Sequence, residues 1–264
     1  MKLYISPCPN DTFMFDAMIN GRIEIEGLDL DVKYFDIEEL NSRAIEGEAE
    51  FSKISCAIIP QIQASYEISE SGAALGRGNG PLLVRKKESL RRTQKDPERP
   101  RTPKKTAIPG VHTTANLLIQ RLFPEIKERT PMLFSKIADA VERGEVEAGV
   151  LIHEGRFLYQ ERNLELVADL GLLWEEKMSL PLPLGAIAMR RDIDPETKSK
   201  FQRVLKRSIE YAFAHPEASR NFIKAHAQEL DDTVIDSHIS LFVNDFSIEL
   251  GDEGRAAIAA LTAR

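Results

Sequence analysis

The chain has 264 residues, of which 42% are hydrophobic and 29% are charged, a balance typical of a soluble protein with a sizeable core. Its net charge of −7 argues against general binding to nucleic acid or to anionic membranes, although one local site can still attract an anion. The opening, MKLYISPCPNDTF, lacks the apolar segment of a signal peptide, and no run approaches the roughly 18 apolar residues of a membrane span. We therefore expect a cytoplasmic monomer or homodimer without nucleic-acid or membrane partners.

The sequence shows no metal-ligand spacing and no cofactor fingerprint. Cys8 and Cys56 stand alone, and the other candidate ligands are scattered, at His112, His153, His215, His226 and His238. Residues 76–81, GRGNGP, match neither a Walker loop nor a dinucleotide motif, and better suit a backbone turn that approaches a ligand closely. The sequence therefore predicts no metal site and no cofactor.

The first predicted elements are a strand at residues 2–6, a proline loop at residues 7–9 and a helix with Asn10, Asp11 and Thr12 as candidate N-caps. Much later, Asp194 followed by a proline opens a long helix. Its predicted apolar face consists of Phe201, Val204, Leu205, Ile209, Ala212 and Phe213.

Two sequence patterns occur twice. Residues 106–108 are apolar, a Pro-Gly loop follows, and Thr113 and Thr114 precede a helix, which repeats the order at the N-terminus. Residues 44–59 and 140–152 each read as a helix end, a Gly-Glu turn and an apolar strand. Two repeats in the same order predict two α/β lobes of like topology.

We predict a two-lobed α/β fold. Residues 1–85 and 190–264 form lobe one, residues 106–189 form lobe two, and residues 86–105 form a linker between them. The chain crosses between the lobes twice, which creates a two-segment hinge that includes the strand at residues 82–84, and a cleft between the lobes is the expected ligand site. The linker has nine Lys or Arg against three Asp or Glu. An arm that binds anions or nucleic acid is one interpretation, and we favour a solvated surface excursion.

Polar residues at the predicted helix starts are candidates for binding an anion, because the first N–H groups of a helix lack partners. Thr113 and Thr114 carry hydroxyl donors and no charge, and we expect one of them to bind a carboxylate and the other to cap its helix. Asn10 borders the same cleft, whereas Asp11 should cap its own helix because a carboxylate would repel an anion. Ser55, in an otherwise apolar strand, is either a core serine or a ligand contact.

His153 follows the apolar run in VLIHEG. A buried histidine is often a hydrogen-bonded structural residue, and this alternative stays open. We favour a general base, because the strand should end at the cleft and an imidazole with a pKa of about 6.5 can accept a proton at neutral pH. Glu154, next along the same strand, should face the other way.

Seven blocks run in order through nearly the whole chain: SPCPNDTFMFDAMINGRIE, LGRGNGPLLV, PGVHTTANLL, GEVEAGVLIHEGRF, LPLPLGAIAMRRD, HPEAS and VNDFSIELGDEG. Together they resemble the 1,4-dihydroxy-6-naphthoate synthase family of the futalosine route to menaquinone. The resemblance implies a periplasmic-binding-protein type II fold, a carbon–carbon lyase reaction and a small-molecule carboxylate substrate, cyclic dehypoxanthine futalosine.

The resemblance also implies site residues. The catalytic histidine of the family corresponds to His153. The candidate substrate-binding residues are Lys53, Ser55, Cys56 and Ala57 in KISCA, Thr113 and Thr114 in HTT, and Gly78 and Asn79 in the glycine turn, together with Asn10 and Asp11.

Two alternatives remain. A chorismate dehydratase of the same pathway shares the fold, but the SPCPNDTF opening and the histidine of IHE favour the synthase. A cytoplasmic or exported carboxylate-binding protein of a transporter is a rival from another class, and the missing signal peptide argues against its exported form.

Overall fold

The computed structural model describes residues 1–87, 103–227 and 231–263. Its strands are β1 (Lys2–Ile5), β2 (Asp31–Tyr34), β3 (Phe51–Ser55), β4 (Tyr66–Ile68), β5 (Ala74–Gly76), β6 (Leu82–Lys86), β7 (Lys105–Ile108), β8 (Glu128–Pro131), β9 (Ala148–Leu151), β10 (Leu164–Asp169) and β11 (Leu182–Arg190). Its helices are α1 (Pro9–Ile19), α2 (Ile37–Ile45), α3 (Ile59–Ile62), α4 (Thr114–Leu122), α5 (Phe134–Arg143), α6 (Gly155–Leu158), α7 (Leu170–Met178), α8 (Pro195–Ala214), α9 (Arg220–His226), α10 (Asp232–Phe242), α11 (Asp245–Ile248) and α12 (Gly251–Thr262). Most of the predicted basic linker lies outside the described residues.

The chain divides into two compact units, of which the first holds residues 1–79, 112–114 and 174–264. Its sheet has the order β2-β1-β3-β11-β4, and β5 pairs with β11. β1 runs parallel to β2 and β3, whereas β11 runs antiparallel to β3. The core of this unit packs the sheet against helices, and Phe51 of β3 stacks on Phe201 of α8 with ring centroids 3.8 Å apart.

The second unit holds residues 80–111 and 115–173. Its sheet has the order β10-β6-β9-β7-β8, with β7 parallel to β8 and β9, and β6 antiparallel to β9 and β10. Helix α5 packs closely on β9, because a Cβ at Gly149 would lie 2.4 Å from Cγ2 of Ile137. The glycine therefore sets how near the helix can lie to the sheet.

The two sheets share one topology. β1, β2 and β3 correspond in order and direction to β7, β8 and β9, and the antiparallel strands β11 and β6 take matching places beside β3 and β9. The predicted repeat and the α/β fold class are confirmed. The predicted lobe bounds differ from the two units, because β6 pairs in the second sheet and β11 in the first. Hydrophobic runs indicate strands, but they do not identify the strand with which each one pairs.

The predicted start of α8 is confirmed. The Asp194 side chain accepts a hydrogen bond from the backbone N–H of Thr197 at 2.9 Å, and the proline at the first helical position needs no donor. Five of the six residues of the predicted apolar face are buried, the exception being Phe213 with 42% of its surface exposed. The Phe213 ring packs edge-on against Phe13, so its contact lies at the rim of the core.

The predicted caps of α1 were wrong. The helix begins at Pro9, and the N-cap is Cys8, whose backbone is extended and whose side chain makes no capping hydrogen bond. A proline has its φ fixed at a helical value and has no N–H to satisfy, so it can take the first helical position. Asn10 and Asp11 are consequently inside the first turn, where their side chains have other partners.

Candidate active site

Ser55 ends β3 and is held from two sides by Asn41 of α2. The backbone N–H of Ser55 donates to Asn41 Oδ1 at 2.7 Å, and Asn41 Nδ2 donates to Ser55 Oγ at 2.9 Å. Over the residues that the structure describes, the Ser55 hydroxyl donates no hydrogen bond. Its proton is therefore available to a ligand oxygen. Asn41 was not predicted from the sequence. The signal that could have identified it is an amide side chain on the apolar face of α2.

Lys53 points to the same face of the sheet as Ser55, because side chains two residues apart in a strand lie on one side. The Lys53 ammonium lies 2.6 Å from Asp11 Oδ1, and both side chains are at least 95% buried. Asp11 is its one acceptor among residues 1–87, 103–227 and 231–263, so two of the three ammonium N–H groups are left for a ligand. Its stem passes Gly185 of β11, where a Cβ would lie 3.1 Å from Lys53 Cε.

Asp11 is the counter-ion of Lys53, and the prediction that it caps its own helix was wrong. Its carboxylate also accepts from the N–H of Ser6 at 3.2 Å, from the Ser6 hydroxyl at 2.7 Å and from Asn10 Nδ2 at 2.9 Å. Asn10 Oδ1 in turn lies 3.0 Å from Nε2 of the buried His238. The network holds Asp11 in place, and an ionised carboxylate has no proton to donate to a substrate. One N–H of the Asn10 amide bonds to Asp11, and contact of Asn10 with substrate stays a prediction.

The Thr114 hydroxyl forms hydrogen bonds to backbone groups of the first unit. It donates to the carbonyl of Leu184 at 2.8 Å and accepts from the N–H of Ala57 at 3.3 Å. The hydroxyl is therefore bonded to backbone, and its proton is not available to a carboxylate. Thr113 is buried and directly precedes α4, and its ligand role stays a prediction.

The loop before α4 is also tied to α2. The backbone N–H and Nδ1 of His112 lie 3.1 Å and 2.8 Å from the Glu38 carboxylate, and Asn41 Nδ2 lies 3.4 Å from the carbonyl of His112. The structure thus brings together Ser55 and the HTT loop, which sequence reasoning had separated by more than fifty positions.

Cys56 follows Ser55 and is fully buried. Burial raises the pKa of its thiol to about 12, although the nearby Lys53 ammonium acts in the opposite direction. The thiol is therefore protonated at neutral pH and is not a nucleophile.

The predicted glycine turn is closed by its own hydrogen bonds. The N–H of Gly78, whose φ is +69°, donates to Glu175 at 2.6 Å. The Asn79 side-chain amide pairs with both backbone groups of Gly76, donating to its carbonyl at 3.2 Å and accepting from its N–H at 3.1 Å. The turn is built to hold its shape, and contact of Gly78 or Asn79 with substrate stays a prediction.

His153 lies in the second unit, two residues beyond β9. It has φ of +51°, a left-handed conformation that costs a residue other than glycine about 1–2 kcal/mol. Its half-buried ring meets that of Phe134 edge to face, with centroids 4.8 Å apart. Glu154 belongs to this turn, so the prediction that it faces away along a strand was wrong. The alternation of side chains between the two faces of a sheet does not extend past the last ladder bond of the strand.

Neither a metal cluster nor a membrane-spanning helix is found in the described part of the chain. No three His, Cys, Asp or Glu side chains lie close enough to hold a metal ion, and no helix is both long and apolar enough to cross a bilayer.

Comparison with known proteins places the whole chain in one group. A family described as menaquinone biosynthesis matches residues 1–264. A Thermus thermophilus protein named 1,4-dihydroxy-6-naphtoate synthase is 42% identical over 263 residues, which cover 100% of this chain and 93% of the relative. A Streptomyces coelicolor protein of the same name is 39% identical over 269 residues, which cover 100% of this chain and 92% of that protein.

Solved structures support the fold. A protein from Archaeoglobus fulgidus, 33% identical, superposes with a TM-score of 0.89 over 98% of this chain and 95% of its own. A Candida albicans protein described as having the generic periplasmic binding protein fold superposes with a TM-score of 0.68 over 99% of this chain and 88% of its own. At 13% identity the second likeness concerns the fold alone, and it agrees with the predicted periplasmic-binding-protein type II architecture.

Proposed function

The chain belongs to the menaquinone biosynthesis family, and from this premise we propose that it converts cyclic dehypoxanthine futalosine to 1,4-dihydroxy-6-naphthoate. It is an enzyme of the synthase class for which its two full-length relatives are named, and a carbon–carbon lyase.

The substrate carboxylate binds at the end of β3. The observation that carries this step is the pair of unused donors there, the Ser55 hydroxyl and the remaining N–H groups of the Lys53 ammonium. A charged donor beside a neutral one suits an anion, because hydrogen bonds to ionised groups are stronger than neutral ones. Thr113 provides a further hydroxyl in the adjoining loop.

His153 acts as the general base. It removes a proton next to a carbonyl of the substrate carbocycle, and the electron pair forms an enolate. The enolate re-forms its carbonyl as one carbon–carbon bond breaks, and the ring becomes aromatic. The sugar-derived fragment leaves with the electron pair of that bond and takes up one proton. Support comes from the turn of His153, since strained backbone in a folded protein is concentrated at functional sites. Histidine needs no metal to take a proton at neutral pH.

Product analysis tests the reaction. The purified chain is incubated with cyclic dehypoxanthine futalosine or with chorismate, and the products are identified by mass spectrometry. We expect 1,4-dihydroxy-6-naphthoate from the first compound and no dehydration of the second. Dehydration of chorismate would support the sister enzyme, and binding of many carboxylates without turnover would support a solute-binding protein.

The base role is tested by His153→Asn, because asparagine tolerates the left-handed conformation that alanine does not. We expect kcat to fall about 100- to 10,000-fold with substrate affinity largely kept. His215→Asn is the matched control, because that ring is exposed and stacks on Tyr211. Near-normal kcat in His153→Asn would refute the base role. Cytoplasmic location and the monomeric or dimeric state stay predictions.

A further inference from the structure

The turn that carries His153 must be held by its surroundings. Local backbone bonds close the turn: the N–H of Arg156 donates to the carbonyl of His153 at 3.3 Å, and the N–H of Phe157 donates to the carbonyl of Glu154 at 2.9 Å. A left-handed residue other than glycine persists when the surrounding structure over-determines its conformation. Within the second unit, the Arg156 side chain ties this turn to residues that lie far from it in the sequence.

The Arg156 guanidinium makes two contacts that reach beyond its own turn. It donates to the carbonyl of Gly80, and its second nitrogen lies 2.8 Å from Asp169 Oδ2 at the end of β10. The side chains of Arg156 and Asp169 are 16% and 18% exposed, so the pair is only partly screened by water. A planar guanidinium can contact two fixed acceptors at once, which a lysine ammonium cannot do with the same geometry.

The two acceptors are themselves fixed. The other oxygen of Asp169 accepts from the N–H groups of Gly171 at 2.9 Å and Leu172 at 3.1 Å. The backbones of Gly80 and Gly171 touch, because a Cβ at Gly80 would lie 2.1 Å from the N atom of Gly171. Arg156 is thus anchored to a point where two backbone segments meet without room for a side chain.

We propose that Arg156 is a positioning residue for the reaction: by clamping the turn to Gly80 and Asp169 it holds His153 in its left-handed conformation and aims the imidazole at the substrate. The inference rests on the proposed base role of His153. Arg156 itself contacts neither substrate nor the reacting atoms in this mechanism.

Steady-state kinetics of Arg156→Gln test the inference. We expect kcat to fall about 10- to 100-fold, since a misplacement of about 1 Å costs on that order, while KM stays within about twofold. Arg162→Gln is the matched control. Arg162 lies in the same unit and pairs with Asp139 and Glu142, but it has no bond to the His153 turn. The melting temperature of Arg162→Gln should fall, whereas its kcat should stay at the wild-type value.

Two further variants guard against a simple loss of folding. Arg156→Lys should remain folded, and its kcat should still fall. In Arg156→Ala, guanidinium chloride at millimolar concentration should restore part of the lost kcat, whereas it should restore none in His153→Asn. Wild-type kcat in Arg156→Gln, or no rescue by guanidinium of a folded Arg156→Ala, overturns the positioning role. Wild-type kcat in His153→Asn overturns the base role instead, so the two failures are distinguishable.

Discussion

The ends of β3 and β9 occupy equivalent places in two sheets of the same topology, yet they present their side chains in different ways. Ser55 is the last residue of β3, has ordinary extended backbone and is held by one amide, that of Asn41. His153 lies two residues past β9, has φ of +51° and is followed by a turn with a clamped guanidinium. One topology thus supports a donor on a regular strand and a titratable ring on a strained turn.

The difference matches the two roles that we propose for these residues. A hydroxyl that only binds a carboxylate can be fixed by local hydrogen bonds at no conformational cost. In the proposed mechanism an imidazole must reach a proton on a substrate carbon, and the left-handed turn carries His153 beyond the last ladder bond of β9. Each strand end also has an ion pair behind it, the buried Lys53–Asp11 pair at β3 and the half-buried Arg156–Asp169 pair at β9.

The largest effect should come from the ion pair at β3. Asp11→Ala leaves the Lys53 ammonium buried without a counter-ion, and we expect the free energy of unfolding to fall by about 3–5 kcal/mol in urea titrations. Asp169→Ala should cost less, because its pair is more exposed to water. Equal losses would show that the two strand ends are held in the same way. In Asp11→Ala/Lys53→Met, part of the loss should be recovered.

Asn41→Ala removes both bonds that hold Ser55. The buried N–H of Ser55 is left without its partner, which costs about 1–3 kcal/mol of unfolding free energy, and the hydroxyl is free to rotate. Asn163→Ala, on an exposed residue, is the control and should change stability by about 0.5 kcal/mol or less. If Asn41→Ala behaved like this control, Asn41 would not support the Ser55 site.

Ser55→Ala separates binding from chemistry. A hydrogen bond to a charged group is worth about 1.5–3 kcal/mol, so KM should rise about 10- to 100-fold while kcat changes little. The control is Ser52→Ala, since the Ser52 hydroxyl bonds to the carbonyl of Lys53. A loss of kcat without a change in KM would place Ser55 in the chemical step and weaken the contrast with His153.

Cys56 gives the smallest effect, visible only in alkali. Its thiol ionises near pH 12 in the folded chain and nearer pH 9 when unfolded, so between these values the unfolded state alone loses the proton. The contribution of this thiol to the free energy of unfolding is fully present below about pH 9 and is lost as the pH rises towards 12. The free energy of unfolding of Cys56→Ala should therefore fall less than that of the wild type between pH 8 and about pH 10. Plots of unfolding free energy against pH that run parallel for the two proteins would contradict the assignment of a buried thiol.

Local patterns predicted the strands, the repeat and the Asp194 cap, because each depends on neighbouring residues. Long-range partners were beyond them. Asp11 and Lys53 are 42 residues apart, and nothing in either neighbourhood indicates the other. Asn41 and Ser55 are 14 residues apart on different elements, and Gly80 and Gly171 are further apart still. Only a few per cent of residues other than glycine have a positive φ, and although histidine is enriched among them its sequence neighbourhood does not indicate that conformation. The geometry of His153 was therefore visible only in three dimensions.

The contact of Gly80 with Gly171 affects how a mutational survey of this chain would be interpreted. We expect substitutions at either glycine to abolish activity as completely as changes to the proposed base His153, although neither glycine has a side chain to offer a substrate. Measuring the cellular abundance of each variant together with its activity would separate loss of folding from loss of catalysis. The glycine variants should disappear from the cell as protein, whereas the histidine variants should persist at normal levels and remain inactive.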